Sequence, residues 1–254
     1  MADKNKLNEK LVSMTLGDHL EELRARMILA LTGLVVAFIV SLAAGKWFLG
    51  FVLSPYEAAM EDLGMDLKLL AIDVPEPFLV YLKASMVLGV LISSPWLFYQ
   101  IWAFVSAGLY SHERKFVKMV APASAILFVT GVLFFLVIIA PWVFKFFVRF
   151  NPGIDYLNYQ PSLTKSVNFI LTLSLVFGVA FQSPIAIVFS ERMGLVTVQQ
   201  LAKARKFVFL GCFVVSAMTT PPDVVSQISL AVPLYILFEG SIIVCRIWRR
   251  KRDK

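Results

Sequence analysis

Cysteine and histidine are scarce in this chain: Cys212 and Cys245, His19 and His112, in 254 residues. Both cysteines fall inside apolar segments, so neither a disulfide framework nor a Cys/His metal site is expected. Neither an HExxH pair nor a glycine-rich phosphate loop occurs, and no serine–histidine or paired-aspartate arrangement falls inside the apolar segments. Hydrolytic and nucleotide-driven chemistry therefore lacks its parts, and we expect no enzyme and no cofactor. Charge is also thin, at 16% of residues, against 59% hydrophobic residues and 22 phenylalanines. That balance excludes an ordinary soluble domain.

What is present is a series of long uncharged runs, each able to span a bilayer as a helix of about 20 residues. The fold class is all-α, a polytopic membrane protein in which every backbone polar group is satisfied within helices. Six segments emerge: Met27 to Ala44; Phe78 to Phe98 with Lys83 and Pro95; Met119 to Phe144 with Pro122 and Pro141; Ser166 to Ser190 with Gln182 and Pro184; Phe207 to Met218; and the stretch from Val224 to Cys245 with Pro233 and Glu239. The chain reads as one membrane domain, residues 1–254, with an N-terminal segment 1–26, spans over 27–245 and a basic tail 246–254. The polar N-terminal tail lacks a small-residue cleavage site, so no removable signal peptide is expected.

The net charge of +7 would suit nucleic acid in a soluble domain, but basic residues orient membrane proteins, and no nucleic-acid partner is expected. Eighteen of the Lys and Arg residues lie in the two tails and the loops around Arg114 and Lys203, against five in the opposite loops. This bias predicts both termini in the cytoplasm. The opposite side is predicted to carry a long loop from Gly45 to Pro77, with six acids and three prolines, and a second loop from Phe146 to Thr164. Spans five and six are predicted to be short. The twelve residues Phe207–Met218 rise about 18 Å against a hydrocarbon core of about 30 Å, which implies a thinned bilayer or protein cover there.

Several polar residues invite a role. Ahead of the first span, Leu16, Leu20, Leu23 and Met27 recur at helical spacing among Glu21, Glu22, Arg24 and Arg26, which predicts an amphipathic helix at the membrane surface, capped by Asp18. Glu113 is a lone acid in a basic loop. It either pairs with neighbouring bases or joins Glu22 in a receptor for a cationic ligand. Gln182, deep in span four, either packs internally or bonds a partner helix. Asp223 follows Pro221-Pro222 as a helix cap. Lys83 and Glu239 are charges at membrane depth, to be read as functional or as snorkelling side chains. A proton- or ion-coupled secondary transporter using Lys83, Gln182 and Glu239 is the alternative, although the halves show no internal repeat.

Four stretches in register carry a resemblance. His19-Leu-Glu-Glu-Leu-Arg-Ala-Arg26, Tyr99-Gln-Ile-Trp-Ala-Phe104 with Leu109-Tyr-Ser-His-Glu-Arg114, Phe181-Gln-Ser-Pro-Ile-Ala186 and Thr220-Pro-Pro-Asp-Val-Val-Ser-Gln227 resemble TatC, the multispanning core of the twin-arginine translocase. Ser54-Pro55 and Ser94-Pro95 also resemble family positions. The resemblance implies export of folded proteins across the bacterial cytoplasmic (inner) membrane, driven by the proton motive force. It implies as partners twin-arginine signal peptides, the single-span proteins TatA and TatB, and other copies of the chain. It places signal-peptide contacts on Glu22, Phe104 and Glu113, with Arg24 in the same surface, and partner docking around Gln182 and spans five and six. The family often has glutamate where this chain has Gln182.

Overall fold

The computed structural model describes residues 16–62, 69–108, 114–149, 160–220 and 223–252. Among them every regular element is a helix, apart from one parallel bridge between Leu70 and Ser162. The helices are α1 (Leu16–Glu61), α2 (Glu76–Ala107), α3 (Arg114–Phe134), α4 (Ala140–Arg149), α5 (Leu163–Ala180), α6 (Ser183–Arg192), α7 (Val198–Thr219) and α8 (Val224–Arg252). A π-helical turn, Phe135–Ile139, joins α3 to α4. Five continuous helical stretches are long and apolar enough to cross a membrane, namely Gly17–Glu61, Glu76–Ala107, Met119–Arg149, Leu163–Arg192 and Val224–Trp248. The protein is an all-α, multi-pass membrane protein.

α7, expected as a crossing, is not among those five stretches, and its first half carries Lys203, Arg205 and Lys206. The helix is 22 residues long, but only its Phe207–Met218 stretch is uncharged. α8 runs 29 residues and meets Glu239 about 22 Å from its start. Both helices are thus of ordinary length, and it is their uninterrupted apolar stretches that are short.

The first correction to the expected boundaries concerns α1, which does not end near Gly45. It continues through the first part of the expected loop to Glu61, over 46 residues. The cause is burial: Phe48, Val52, Tyr56, Ala59 and Met60 recur at helical spacing and lie in the main core with Val80, Phe135, Phe144 and Phe177. Pro55 sits inside this helix and deprives the Phe51 carbonyl of its usual donor. The Ser54 hydroxyl donates to that same carbonyl at 2.8 Å, so the helix passes through. Pro95 repeats the arrangement in α2, where the Ser94 hydroxyl donates to Leu91 O at 2.8 Å. Each Ser-Pro pair therefore keeps a proline-containing helix continuous. The other prolines are absorbed differently. Pro141 follows the π-helical turn, and Pro184 stands in the first turn of α6, where its missing N–H costs nothing.

α1 and α2 form the most extensive pair. Their closeness requires glycine at two points: a Cβ on Gly33 would fall 2.3 Å from the Trp96 ring, and one on Gly45 would fall 2.1 Å from Ser85 Oγ. Hydrogen bonds stitch the same seam, from Trp96 Nε1 to Leu29 O at 2.9 Å and from Ser41 Oγ to Ser85 O at 2.6 Å. The outer side of α1 shows Leu31, Val35 and Ile39, each more than half exposed, as a surface wetted by lipid must be. α5 and α3 close the core through Phe177, Phe135 and Phe128, while α7 and α8 pair with each other and hold a separate small core around Val198, Phe238 and Ile242.

Candidate functional site

The seam between α1 and α2 brings the start of one helix against the end of the other. Glu22 lies on the first turns of α1, half-buried, and accepts a hydrogen bond from Arg26 Nε at 2.7 Å, one helical turn on. A second nitrogen of Arg26, Nη1, reaches across to α2 and donates to Gln100 Oε1 at 3.1 Å. Gln100 is almost fully buried, so the guanidinium is gripped from both helices and Glu22 is held in one place. One turn earlier on α1 and one turn later on α2, the His19 and Phe104 rings stack with centroids 4.5 Å apart and planes 26° from parallel. The result is a carboxylate beside a flat aromatic platform. Arg24 is exposed at the same helical level. Such a surface suits a planar cation, which can be bonded at its edge by the carboxylate and stacked on its face by the rings.

Glu113, expected beside Glu22, lies outside the described residues. Of the other expected contacts, Glu22 and Phe104 fall on one face. Three residues of that face were not singled out from the sequence: His19, Arg26 and Gln100. Gln100 carried the clearest signal, a lone amide at the end of an apolar run and just ahead of Trp102 and Phe104.

The second polar cluster is built where α2, α3 and the α5–α6 break meet. The expected fourth span is not one helix. It divides at Phe181-Gln182, because Pro184 cannot bond to Ala180. Gln182 sits at this break and donates from Nε2 to Ser124 O at 3.0 Å, while Trp102 Nε1 donates to Ser124 Oγ at 2.8 Å. Trp102 also meets Phe189 of α6 edge to face at 5.0 Å. One donor of the Gln182 amide is thus spent on internal packing. Beside the break, α5, α6, α7 and α8 enclose an open apolar groove of about 800 Å³ lined by Val176, Val179, Ile187, Val208, Gly211 and Leu234.

The motifs and this architecture have close counterparts. Residues 18–233 match the family model described as TatC, Sec-independent protein translocase protein. The chain belongs to the TatC family. A Sec-independent protein translocase protein TatC from Desulforapulum autotrophicum is 39% identical over 236 residues, 93% of this chain and 86% of the relative. TatCy of Bacillus subtilis is 34% identical over 96% of this chain and 94% of its own length. A crystal structure of the twin-arginine translocase receptor TatC in DDM superposes with a TM-score of 0.81 at 30% identity, covering 89% of this chain and 98% of that one. The protein is therefore a core subunit of a protein translocase, and TatC proteins are translocase components rather than catalysts.

In this TatC chain the three charges or amides of the transporter alternative do not meet. Lys83 donates to Asn168 Oδ1 at 3.1 Å near the start of α5. Glu239 pairs with Arg205 Nε of α7 at 2.8 Å and accepts from Tyr235 at 2.9 Å. Gln182 belongs to the third location described above. Asp223 caps α8, accepting from Ser226 N at 2.6 Å and from the Ser226 hydroxyl. Gln227 then ties the α7–α8 turn together by donating to Phe213 O at 3.2 Å. A further acid, Glu76, has a structural task that sequence reading did not assign. It is buried, and its oxygens accept from Ile72 N at 2.6 Å, Asp73 N at 3.3 Å and Thr164 N at 2.8 Å, tying the first loop to the starts of α2 and α5.

Proposed function

We propose that the Glu22–Phe104 face is the receptor for the twin-arginine signal peptides of folded cargo, with Glu113 supplying the second carboxylate and Arg24 bordering the surface. The observation that carries this reading is the Glu22–Arg26 pair. The carboxylate is already shaped around a guanidinium, yet that partner is a neighbour on the same helix, and such a half-exposed pair is worth well under 1 kcal/mol. An incoming arginine can exchange with Arg26 or share its carboxylate at little cost. The His19–Phe104 stack offers it a second, face-on contact. The superposed crystal structure is that of a protein described as the twin-arginine translocase receptor, which supports the same assignment.

The apolar groove beside Gln182 receives the single span of a TatA- or TatB-type partner. Its lining is almost wholly apolar, and it opens beside the α5–α6 break, one residue from Gln182. The assembly holds further copies of the chain, lies in the bacterial cytoplasmic (inner) membrane with both termini in the cytoplasm, and uses the proton motive force to move cargo. The eighteen-to-five distribution of basic residues supports that orientation. A cysteine at Asn151 is expected to react with an impermeant reagent from outside and one at Ser111 only from the cytoplasm.

The decisive test is photocrosslinking of a labelled signal peptide to membranes carrying Glu22→Gln or Glu113→Gln. Each change keeps shape and removes charge. The expected loss is that of a charge-assisted hydrogen bond, on the order of 1.5–3 kcal/mol, or roughly tenfold to a hundredfold in affinity. A peptide with both arginines changed to lysine should discriminate less between variant and parent. Equal crosslinking by parent and both variants would place recognition elsewhere.

A further inference from the structure

Lys83 is a cation on a surface that otherwise faces lipid. It lies about 10 Å into α2 from Glu76, between Leu79 and Met86, which are 49% and 57% exposed on the same side of the helix. Its ammonium turns toward α5, where it donates to Asn168 Oδ1 at 3.1 Å. Lys165 stands three residues before Asn168, so the two share a face of α5, and its side chain is exposed. Among the described residues neither lysine has an ion pair. Glu76 accepts from three backbone N–H groups, and Asp62 pairs with Lys145. Lys83 through its hydrogen bond and Lys165 through its place on α5 thus flank the Asn168 amide near the membrane edge. A charge at that depth is retained only where it finds a counter-charge or water.

We propose that Lys83, Asn168 and Lys165 form a binding site for the phosphate of an anionic phospholipid. The Lys83 stem follows the apolar helix surface while its head rises to headgroup level. There its remaining N–H groups, the Asn168 amide and Lys165 surround a tetrahedral oxyanion. The acyl chains lie along the exposed surface at Met86. Soluble phosphate presents the same oxyanion, but it has no chains to place on that surface. The bound lipid fastens α2 to α5 two helical turns along α2 from the Glu76 contact, so the two helix starts are joined by carboxylate within the protein and by phosphate at its edge.

Native mass spectrometry of the purified full chain, titrated with phosphatidylglycerol or phosphatidylcholine of the same acyl length, tests this. The parent is expected to prefer phosphatidylglycerol. Lys83→Gln and Lys165→Gln should each weaken that lipid by about fivefold, the effect of one lysine near an anionic headgroup, and leave phosphatidylcholine little changed. Lys83→Arg should retain the preference. Lys165→Gln alters only an exposed side chain, so it keeps the test open if Lys83→Gln folds poorly. Excess inorganic phosphate should not displace the lipid. Unchanged phosphatidylglycerol binding in the Lys83→Gln/Lys165→Gln double variant would overturn the site, and ready displacement by inorganic phosphate would overturn its assignment to a lipid.

Discussion

Glu76 and Glu22 stand near opposite ends of α2's neighbourhood, and both accept hydrogen bonds, but they do different work. Glu76 is buried, and its donors are three backbone N–H groups in two segments: Ile72 and Asp73 before α2, and Thr164 in the first turn of α5. Backbone donors cannot swing away. Helix N-termini also favour negative charge, so nothing arriving from outside competes for this carboxylate. Glu22 is half-buried, and its partner is the side chain of Arg26, one turn away on its own helix. An acid bonded to fixed backbone is architecture, whereas an acid bonded to a movable side chain can trade partners. The comparison teaches that burial and the kind of donor, more than charge itself, separate a structural glutamate from the carboxylate we propose as a receptor.

The sharpest way to break that contrast is Glu76→Gln. The amide would turn an NH₂ group toward backbone N–H donors, leaving at least one buried donor unsatisfied. We expect the largest loss of thermal stability among single changes in this polar framework, read as the melting midpoint in detergent, with signal-peptide binding per folded molecule unchanged. A stable Glu76→Gln protein with impaired peptide binding would reverse the two roles.

Arg26→Gln sharpens the other side. It removes the resident guanidinium from Glu22 while the Gln100 side chain stays in place. The expected result is a signal peptide bound about twofold more tightly, the size of one i,i+4 ion pair, measured by titration with labelled peptide. Weaker binding would mean that Arg26 orients Glu22 rather than competing for it.

The smallest effect belongs to Asp62, just beyond α1, which pairs with Lys145 of α4. The hydrogen bond and charge of Lys145 hold its carboxyl below the ordinary value of 3.8. A carboxyl lowered in the folded state contributes stability at pH above its unfolded value, and that contribution is lost as pH falls through the lower, folded one. Asp62→Asn should therefore lower stability slightly near neutrality and flatten the acid limb of the stability curve. Both side chains are about half exposed, so the shift in melting midpoint should be near the limit of detection.

Much of this molecule was legible in composition and pattern. Long uncharged runs can only be helices in a bilayer, so class and approximate span positions follow from residue type alone. The short uncharged stretch Phe207–Met218 and the cap at Asp223 were likewise readable, and a motif singled out Glu22 and Phe104, which the fold brings to one face. Charge and hydropathy act locally along the chain, which is why they can be read from one segment at a time.

Packing decided the rest. Gly45 and Pro55 look like the end of a helix, yet α1 runs to Glu61 because Phe48, Val52 and Tyr56 find a core and the Ser54 hydroxyl satisfies the carbonyl freed by proline. The fourth span reads as one apolar run but breaks at Gln182, whose amide is fixed by Ser124 of another helix. Which acid became scaffold and which stayed exchangeable could not be read from Glu22 or Glu76 alone. Those outcomes depend on residues some 80 positions away in sequence, Gln100 for Arg26 and Thr164 for Glu76. Hydropathy is a property of a segment, while hydrogen-bond partnership is a property of a neighbourhood, and only the tertiary structure assembles the neighbourhood.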